Sequence, residues 1–157
     1  MVARAIRRWL FRLPVLLHRV GVRGVERALG VEWLLLTTTG RRSGRPHVVM
    51  LDVIGHDARA DAYYVQPADG RRADWVRNVT VDPAVTVEVG GRRFRARVDD
   101  VTGPEGADIV LRFIRAHPLY ARVVVWFVGY VERVDVPDTD LRRALATTPV
   151  FAIRPGG

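Results

Sequence analysis

The sequence predicts a single, mainly β domain, α+β by content, built as a small barrel of about six mostly antiparallel strands with flanking helices. Three observations predict it. Residues 85–89 read Val-Thr-Val-Glu-Val, Gly90-Gly91 supplies a tight turn, and residues 94–101 return as the antiparallel partner, which makes a hairpin. Further short β-rich runs are bounded by turn residues. Long helices do not alternate with these strands and the Gly-x-Gly-x-x-Gly fingerprint is absent, so a doubly wound parallel sheet is disfavoured. At 157 residues the chain is long enough to bury about 70% of the surface its unfolded form exposes.

The elements follow in order. Residues 1–30 form an N-terminal amphipathic helical segment: Val2, Ile6, Trp9 and Leu10 share one face with Leu13, Leu16, Leu17 and Val20, while Arg4, Arg8, Arg12 and Arg19 sit away from it. Pro14 removes a backbone donor, so the helix kinks or restarts there. The barrel domain occupies residues 31–157. Its first three strands are expected at 32–39, 47–54 and 62–66, with a turn over 56–61. Residues 73–81 make a short helix, because Trp75, Val76 and Val79 recur at helical spacing, Asp74 lies in the first turn and Asp82-Pro83 closes it. After the hairpin, Pro104 opens a helix to about residue 116, ended by His117-Pro118. Residues 119–134 suit either a buried strand or a packed helix. A short helix over 138–146 and a strand over 149–154 complete the chain.

Composition excludes several chemistries. There is no cysteine, hence no disulfide, thiolate catalysis or cysteine-ligated metal, and the chain reads as cytoplasmic. All 25 basic residues are arginine, which removes the Walker A lysine, Schiff-base chemistry and lysine general bases. The net charge of +8 is unevenly spread. Residues 1–45 hold ten arginines against Glu26 and Glu32, and the remainder is neutral. Two local anionic partners account for that pattern better than a duplex-wide basic face, so nucleic acid is not the expected partner. The sole serine, Ser43, lacks the spacing of a nucleophile elbow. His18, His47, His56 and His117 show no paired ligand spacing, so no metal site is expected. Asp99-Asp100 reads as a solvated turn.

One stretch does carry a site. Leu34-Leu35-Leu36-Thr37-Thr38-Thr39-Gly40-Arg41-Arg42-Ser43-Gly44-Arg45-Pro46 runs a buried strand into an arginine-rich glycine loop. Two glycines free backbone N–H groups, the threonines and Ser43 bring hydroxyls, and three guanidinium forks lie within five residues. This is a donor set for a polyanion. His47 follows the loop and either donates to the same anion or is a half-exposed strand histidine. With no nucleophile, metal or acid/base pair evident, any reaction would be carried by a cofactor, with the protein orienting it.

The segment 34–46, then Ala73-Asp74-Trp75-Val76-Arg77-Asn78 with Asp82-Pro83, and the closing Pro149-Val150-Phe151-Ala152-Ile153-Arg154-Pro155 resemble the deazaflavin-dependent nitroreductase and F420H2-dependent quinone reductase family. The resemblance implies a split β-barrel of the FMN/F420-binding type that binds reduced coenzyme F420, whose phospholactyl-oligoglutamate tail is a polyanion. It implies an enzyme in which the deazaflavin C5 delivers a hydride to a small electron-poor acceptor, such as a quinone, nitroaromatic or activated alkene. Cofactor contacts are then expected from Thr38, Thr39, Gly40, Arg41, Arg42, Ser43, Gly44, Arg45 and His47, and from Trp75 and Asn78 on the helix. For Trp75, a core anchor is an equal expectation. The chain departs from the family's pattern at His47, Met50, Asp52 and Gln66, where basic, proline, tyrosine and lysine residues are common. Arg45, Arg71 and Arg72 are candidates to compensate. No catalytic side chain is assigned; Tyr63, Tyr64, Tyr120 and Tyr130 are candidates for proton delivery or the substrate pocket, beside water, and each also suits core packing. FMN or haem in the same barrel is an alternative, FMN fitting less well because its single phosphate leaves the loop over-provided with arginine, and a non-catalytic anion- or nucleic-acid-binding module is another. The N-terminal helix either lies on the inner face of the cell membrane, where a lipid quinone would be the acceptor, or packs over the barrel. A homodimer is compatible with this reading.

Overall fold

The structure, a computed structural model, describes residues 30–118 and 137–156. The expected N-terminal helical segment, the ambiguous run over 119–134, and with them Tyr120 and Tyr130, lie outside the described residues. Nine regular elements are described: β1 (Trp33–Thr39), β2 (Pro46–Asp57), β3 (Ala62–Val65), α1 (Asp74–Val81), β4 (Ala84–Val89), β5 (Arg92–Asp100), α2 (Pro104–Ala116), α3 (Asp138–Leu145) and β6 (Phe151–Pro155). A short 3-10 turn, Gly70–Arg72, precedes α1 and had no signal in the sequence pattern.

The six strands close into a barrel in the order β1-β2-β3-β6-β5-β4, and every pairing is antiparallel. Side-chain alternation fixes which residues face inward. Leu34 and Leu36 lie opposite Leu51 and Val49 on β2 and opposite Val89 and Val87 on β4. These residues pack with Val53, Tyr63, Val65, Val85, Ala96, Val98, Phe151 and Ile153 in one core. Leu34, Leu36 and Ile153 are completely buried, and each such side chain contributes about 2–3 kcal/mol of transfer free energy. The hairpin β4–β5 turns at Gly90 and Gly91, both at positive φ (55° and 79°), the conformation a two-residue type I′ turn requires.

Two boundaries differ from the sequence expectation. β2 continues through His56 and Asp57, which the sequence assigned to a turn, because a register shift between Val53 and Gly55 lets the strand bend and follow β3. The turn is confined to residues 58–61, where the Asp57 carboxylate accepts from the Arg59 and Ala60 N–H groups. Asp99 and Asp100, expected in a turn, end β5 instead. They pair with Arg154 and Arg71, so their charge is balanced from the neighbouring strand and from the 3-10 turn.

The helices use amphipathic faces. α1 inserts Trp75, Val76 and Val79 into the barrel core. α2 lays Ile109, Val110 and Ile114 against Ile54, Val150 and Tyr64 outside the barrel, forming a second cluster. Gly106 is where α2 comes closest to its support: a Cβ there would stand 2.7 Å from the Val101 carbonyl oxygen and 3.0 Å from Val150 Cβ. Gly106→Ala is therefore expected to lower stability by about 1–3 kcal/mol despite alanine's better helix propensity. A denaturant melt would measure it, with an unchanged slope. No helix among the described residues is long and apolar enough to cross a membrane.

Candidate functional site

The glycine-arginine loop connects β1 to β2 and is closed by two backbone hydrogen bonds. Gly40 N–H donates to the Arg45 carbonyl and Gly44 N–H to the Gly40 carbonyl, both at 2.8 Å. Gly40 is buried beneath the ring of His47. A Cβ on it would lie 2.7 Å from His47 Cδ2 and Nε2 and 2.7 Å from Ser43 Oγ. Only glycine permits that approach.

The loop is held against α1 by Asn78, which is 3% exposed. Its Oδ1 accepts from the Arg41 backbone N–H at 3.2 Å and from Arg41 Nη1 at 2.9 Å. Its Nδ2 donates to Thr38 Oγ1 at 3.0 Å, and the Thr38 hydroxyl reaches the His47 carbonyl at 3.5 Å. Arg41 also donates to the Asp74 carbonyl and, through Nη2, to Asp74 Oδ1 at 3.1 Å. Helical geometry places Asp74 and Asn78, four residues apart, on one face of α1, so both reach the same arginine. The guanidinium of Arg41 thus faces the protein rather than an exposed ligand.

Arg42, Ser43, Gly44, Arg45 and His47 are exposed on the outer side of the loop, as is Thr39 beside it. The guanidiniums of Arg42 and Arg45 have no hydrogen bond or ion pair among the described residues. Ser43 Oγ accepts from the Arg45 N–H at 3.3 Å and keeps its own proton to donate. The N–H groups of Arg42 and Ser43 also point to no protein acceptor among the described residues. Two cationic forks, a hydroxyl and two backbone donors therefore share one rim without a protein anion.

The other expected site residues separate into four groups. Trp75 is 6% exposed and meets Phe151 edge-on at 5.2 Å between ring centroids, the placement of a core anchor. Arg71 is committed to Asp100 and to Thr102 Oγ1, and lies over the Phe151 ring at 6.0 Å. Arg72 is exposed and Gln66 half-buried just past β3. Tyr63 and Tyr64 lie away from the loop. Tyr63 pairs with His56, ten residues beyond Pro46 on β2, or roughly 30 Å of strand. Its ring is buried, stacked on His56 at 4.2 Å, and its hydroxyl accepts from Arg92 at 3.5 Å. Burial pushes the Tyr63 pKa up, so the phenol stays protonated. Tyr64 points outward, toward α2.

Sequence reasoning missed Asp74 as the partner of Arg41; its spacing to Asn78 was the available signal. It also missed the pair Asp61–Arg92 at the far end of the barrel. Arg92 Nη1 and Nη2 donate to the two oxygens of Asp61 at 3.0 and 2.6 Å. The bond from Arg92 holds the Asp61 carboxyl below the usual value. For Asp100, burial raises the pKa, but hydrogen bonds from Arg71 and Thr102 outweigh it and the net direction is down. Both carboxyls are thus more acidic folded than unfolded. Their contribution is complete above the ordinary carboxylate pKa and is lost as pH falls through the lowered folded values. The melting temperature is expected to hold from neutral pH to about 5 and to drop below 4. In an Asp61→Asn/Asp100→Asn variant it is expected to be lower at neutral pH and flatter in acid; thermal melts across pH measure both.

Comparison with known proteins identifies the family and the fold. A family model described as F420H(2)-dependent quinone reductase matches residues 12–127. No curated protein matches. Among solved structures, an F420-H2 dependent reductase, FDR-A, superposes with a TM-score of 0.52 at 22% identity, covering 78% of this chain and 93% of that one. A protein described as a domain-swapped dimer gives 0.52 at 20% identity over 98% of this chain and 100% of the other. A pyridoxamine 5'-phosphate oxidase-related, FMN binding protein from Nostoc punctiforme PCC 73102 gives 0.52 at 16% identity, over 94% and 79% of the two chains. At these identities the structures establish the split-barrel fold, while the family model covers most of the chain. The chain belongs to the F420H2-dependent quinone reductase family, and is an oxidoreductase that uses coenzyme F420.

Proposed function

We propose that the chain transfers a hydride from reduced F420 to a quinone, with the glycine-arginine loop holding the cofactor's anionic tail. The observation that carries this is the loop's outer rim: Arg42 and Arg45 lack an anion among the described residues, while Asn78 and Arg41 fix the backbone beneath them. The donor set fits the group. A phosphate takes the Arg42 and Ser43 N–H groups with the Ser43 hydroxyl, and the neighbouring carboxylates suit bidentate arginine forks.

When bound, the deazaflavin supplies the hydride from its C5. The chain's residues bind and orient. Arg42, Ser43 and Arg45 anchor the tail, Gly40 and His47 shape the floor of the loop, and Arg41 acts through Asn78 and Asp74 to keep that shape. Anchoring a remote part of a reactant lets binding energy position the reacting atoms, where effective molarity supplies up to roughly 7–11 kcal/mol. Water or a tyrosine hydroxyl supplies the proton; the Tyr63 hydroxyl accepts from Arg92 and keeps its own proton to donate. Nitroaromatics and activated alkenes are secondary acceptors.

The N-terminal arginine-rich segment supports docking on an anionic membrane leaflet, which would present a lipid quinone, at about 1 kcal/mol per arginine near the surface. Liposome co-sedimentation of the full chain against one lacking residues 1–23 tests this; equal sedimentation would reject it. A homodimer is compatible with the same reading.

For the activity itself, the purified chain is expected to bind F420 in a fluorescence titration far more tightly than FMN. It should also oxidise F420H2 when menadione is added. No change in F420 fluorescence would sink the proposal, and binding without menadione-dependent oxidation would remove the quinone.

A further inference from the structure

A cavity of about 540 Å³ opens between the far half of β2 and α2, at the other end of β2 from the glycine-arginine loop. Its volume lies in the range of small-molecule sites. Ile54, Tyr64, Ile109 and Phe113 provide apolar and aromatic walls. Arg59, from the β2–β3 turn, and Arg112, from α2, line the same cavity.

Both guanidiniums lack a hydrogen bond or ion pair among the described residues. This sets them apart from the arginines around them. On α2 and α3, Arg115 pairs with Asp138 and Arg142 with Asp108; on β5, Arg92 pairs with Asp61. The one carboxylate lining the cavity, Asp57, is turned into its own loop, accepting from the N–H groups of Arg59 and Ala60. Of the two lining histidines, His56 stands 3.6 Å from Asp61 and His117 packs its ring on Phe113 at 4.9 Å. Two unpaired forks from different elements over an aromatic floor make a site for a ligand that is anionic at one end and flat and apolar at the other.

We infer that this cavity binds an aromatic carboxylate or a comparably flat organic anion, with Arg59 and Arg112 gripping the charged end and Tyr64 and Phe113 flanking the ring. The site is independent of the loop and of the cofactor reading.

The test uses the full chain and 2-naphthoate as the probe, followed by two-dimensional amide NMR. Shifts are expected to centre on residues 54–59 and 109–117, saturating at one equivalent per chain. Arg59→Ala/Arg112→Ala is expected to weaken binding by about tenfold or more, the loss of charge-assisted bonds, and F420 affinity should not change. 2-Naphthol, which lacks the carboxylate, should bind more weakly than 2-naphthoate. Both arginines are exposed, so the variant folds, and its thermal melt verifies this. Three results would overturn the inference: no shifts at millimolar naphthoate, equal affinity in wild type and double variant, or shifts centred on residues 40–47. A failure of F420 binding would leave these outcomes untouched.

Discussion

Asn78→Ala is expected to lower the stability of the protein by about 2–4 kcal/mol and to weaken F420 binding as well. The side chain is 3% exposed and makes three hydrogen bonds, two to Arg41 and one to Thr38. Alanine would leave the Arg41 N–H and the Thr38 hydroxyl without this partner in a region water reaches poorly, and the desolvation cost of each unpaired group is about 1–3 kcal/mol. The loop would then keep only the Arg41–Asp74 contacts to α1, beside its own two backbone closures. Asn78→Asp is the informative companion. It retains an acceptor for both Arg41 donors and adds charge to that contact, but it cannot donate to Thr38. The Thr38 hydroxyl can instead donate to the aspartate, giving up its long 3.5 Å contact to the His47 carbonyl. Asn78→Asp is therefore expected to lose less than half of what Asn78→Ala loses. Equilibrium urea unfolding of the three proteins gives the stabilities and F420 titration gives the affinities. Equal loss in both variants would show that the Nδ2 donor to Thr38, which both variants lack, carries the effect rather than the acceptor bonds to Arg41.

The second large effect concerns the outer rim. Arg42→Ala/Arg45→Ala is expected to weaken F420 binding by at least roughly a hundredfold, taking about 1.5–3 kcal/mol for each charged hydrogen-bonding group removed. Thermal stability should stay within about 0.5 kcal/mol, because both side chains are exposed and neither has a partner among the described residues to strand. Affinity in the wild type should fall with added salt, and the variant should show a flatter dependence, since its remaining contacts are uncharged. Arg41→Ala should behave in the opposite manner. Its guanidinium bonds Asn78 and Asp74, so stability should fall along with affinity. Isothermal titration beside thermal melts separates the two patterns. If Arg41→Ala affects only affinity and the rim double variant affects only stability, the division of roles between the two faces of the loop is wrong.

Much of the barrel was legible because strand residues alternate. In β4, Val85, Val87 and Val89 all face the core and Thr86 and Glu88 do not, a period-2 pattern that reads directly from the chain. Gly90-Gly91 was equally plain, since a glycine pair takes positive φ at both turn positions without strain. β2 was harder. His56 and Asp57 look like turn residues by composition, yet the bulge at Gly55 and pairing to Tyr63 and Ala62 keep them in the sheet. Non-local pairing overrode local preference there. The 3-10 turn before α1 left no periodic trace because three residues are too few to show one.

The candidate site divides along the same line. Loop composition alone announced an anion, since Gly40, Gly44, Ser43 and three arginines within a few residues form a local donor set that needs no distant partner. Which arginine faces out could not be read, because Arg41, Arg42 and Arg45 are chemically identical and differ only in what lies next to them. Asp74 and Asn78 sit 33 and 37 residues further along the chain, and their contact with Arg41 exists only once α1 docks against the end of the barrel. The sequence by itself determined the strand pattern, the turn chemistry and the loop's local donor set, all set by short-range periodicity and residue type. Tertiary structure alone decided that Arg41 is a brace while the guanidiniums of Arg42 and Arg45 have no partner among the described residues. It also set Trp75 against Phe151 in the core, and opened a second arginine-lined cavity between β2 and α2. Each of these depends on which groups burial and closure bring together from distant parts of the chain.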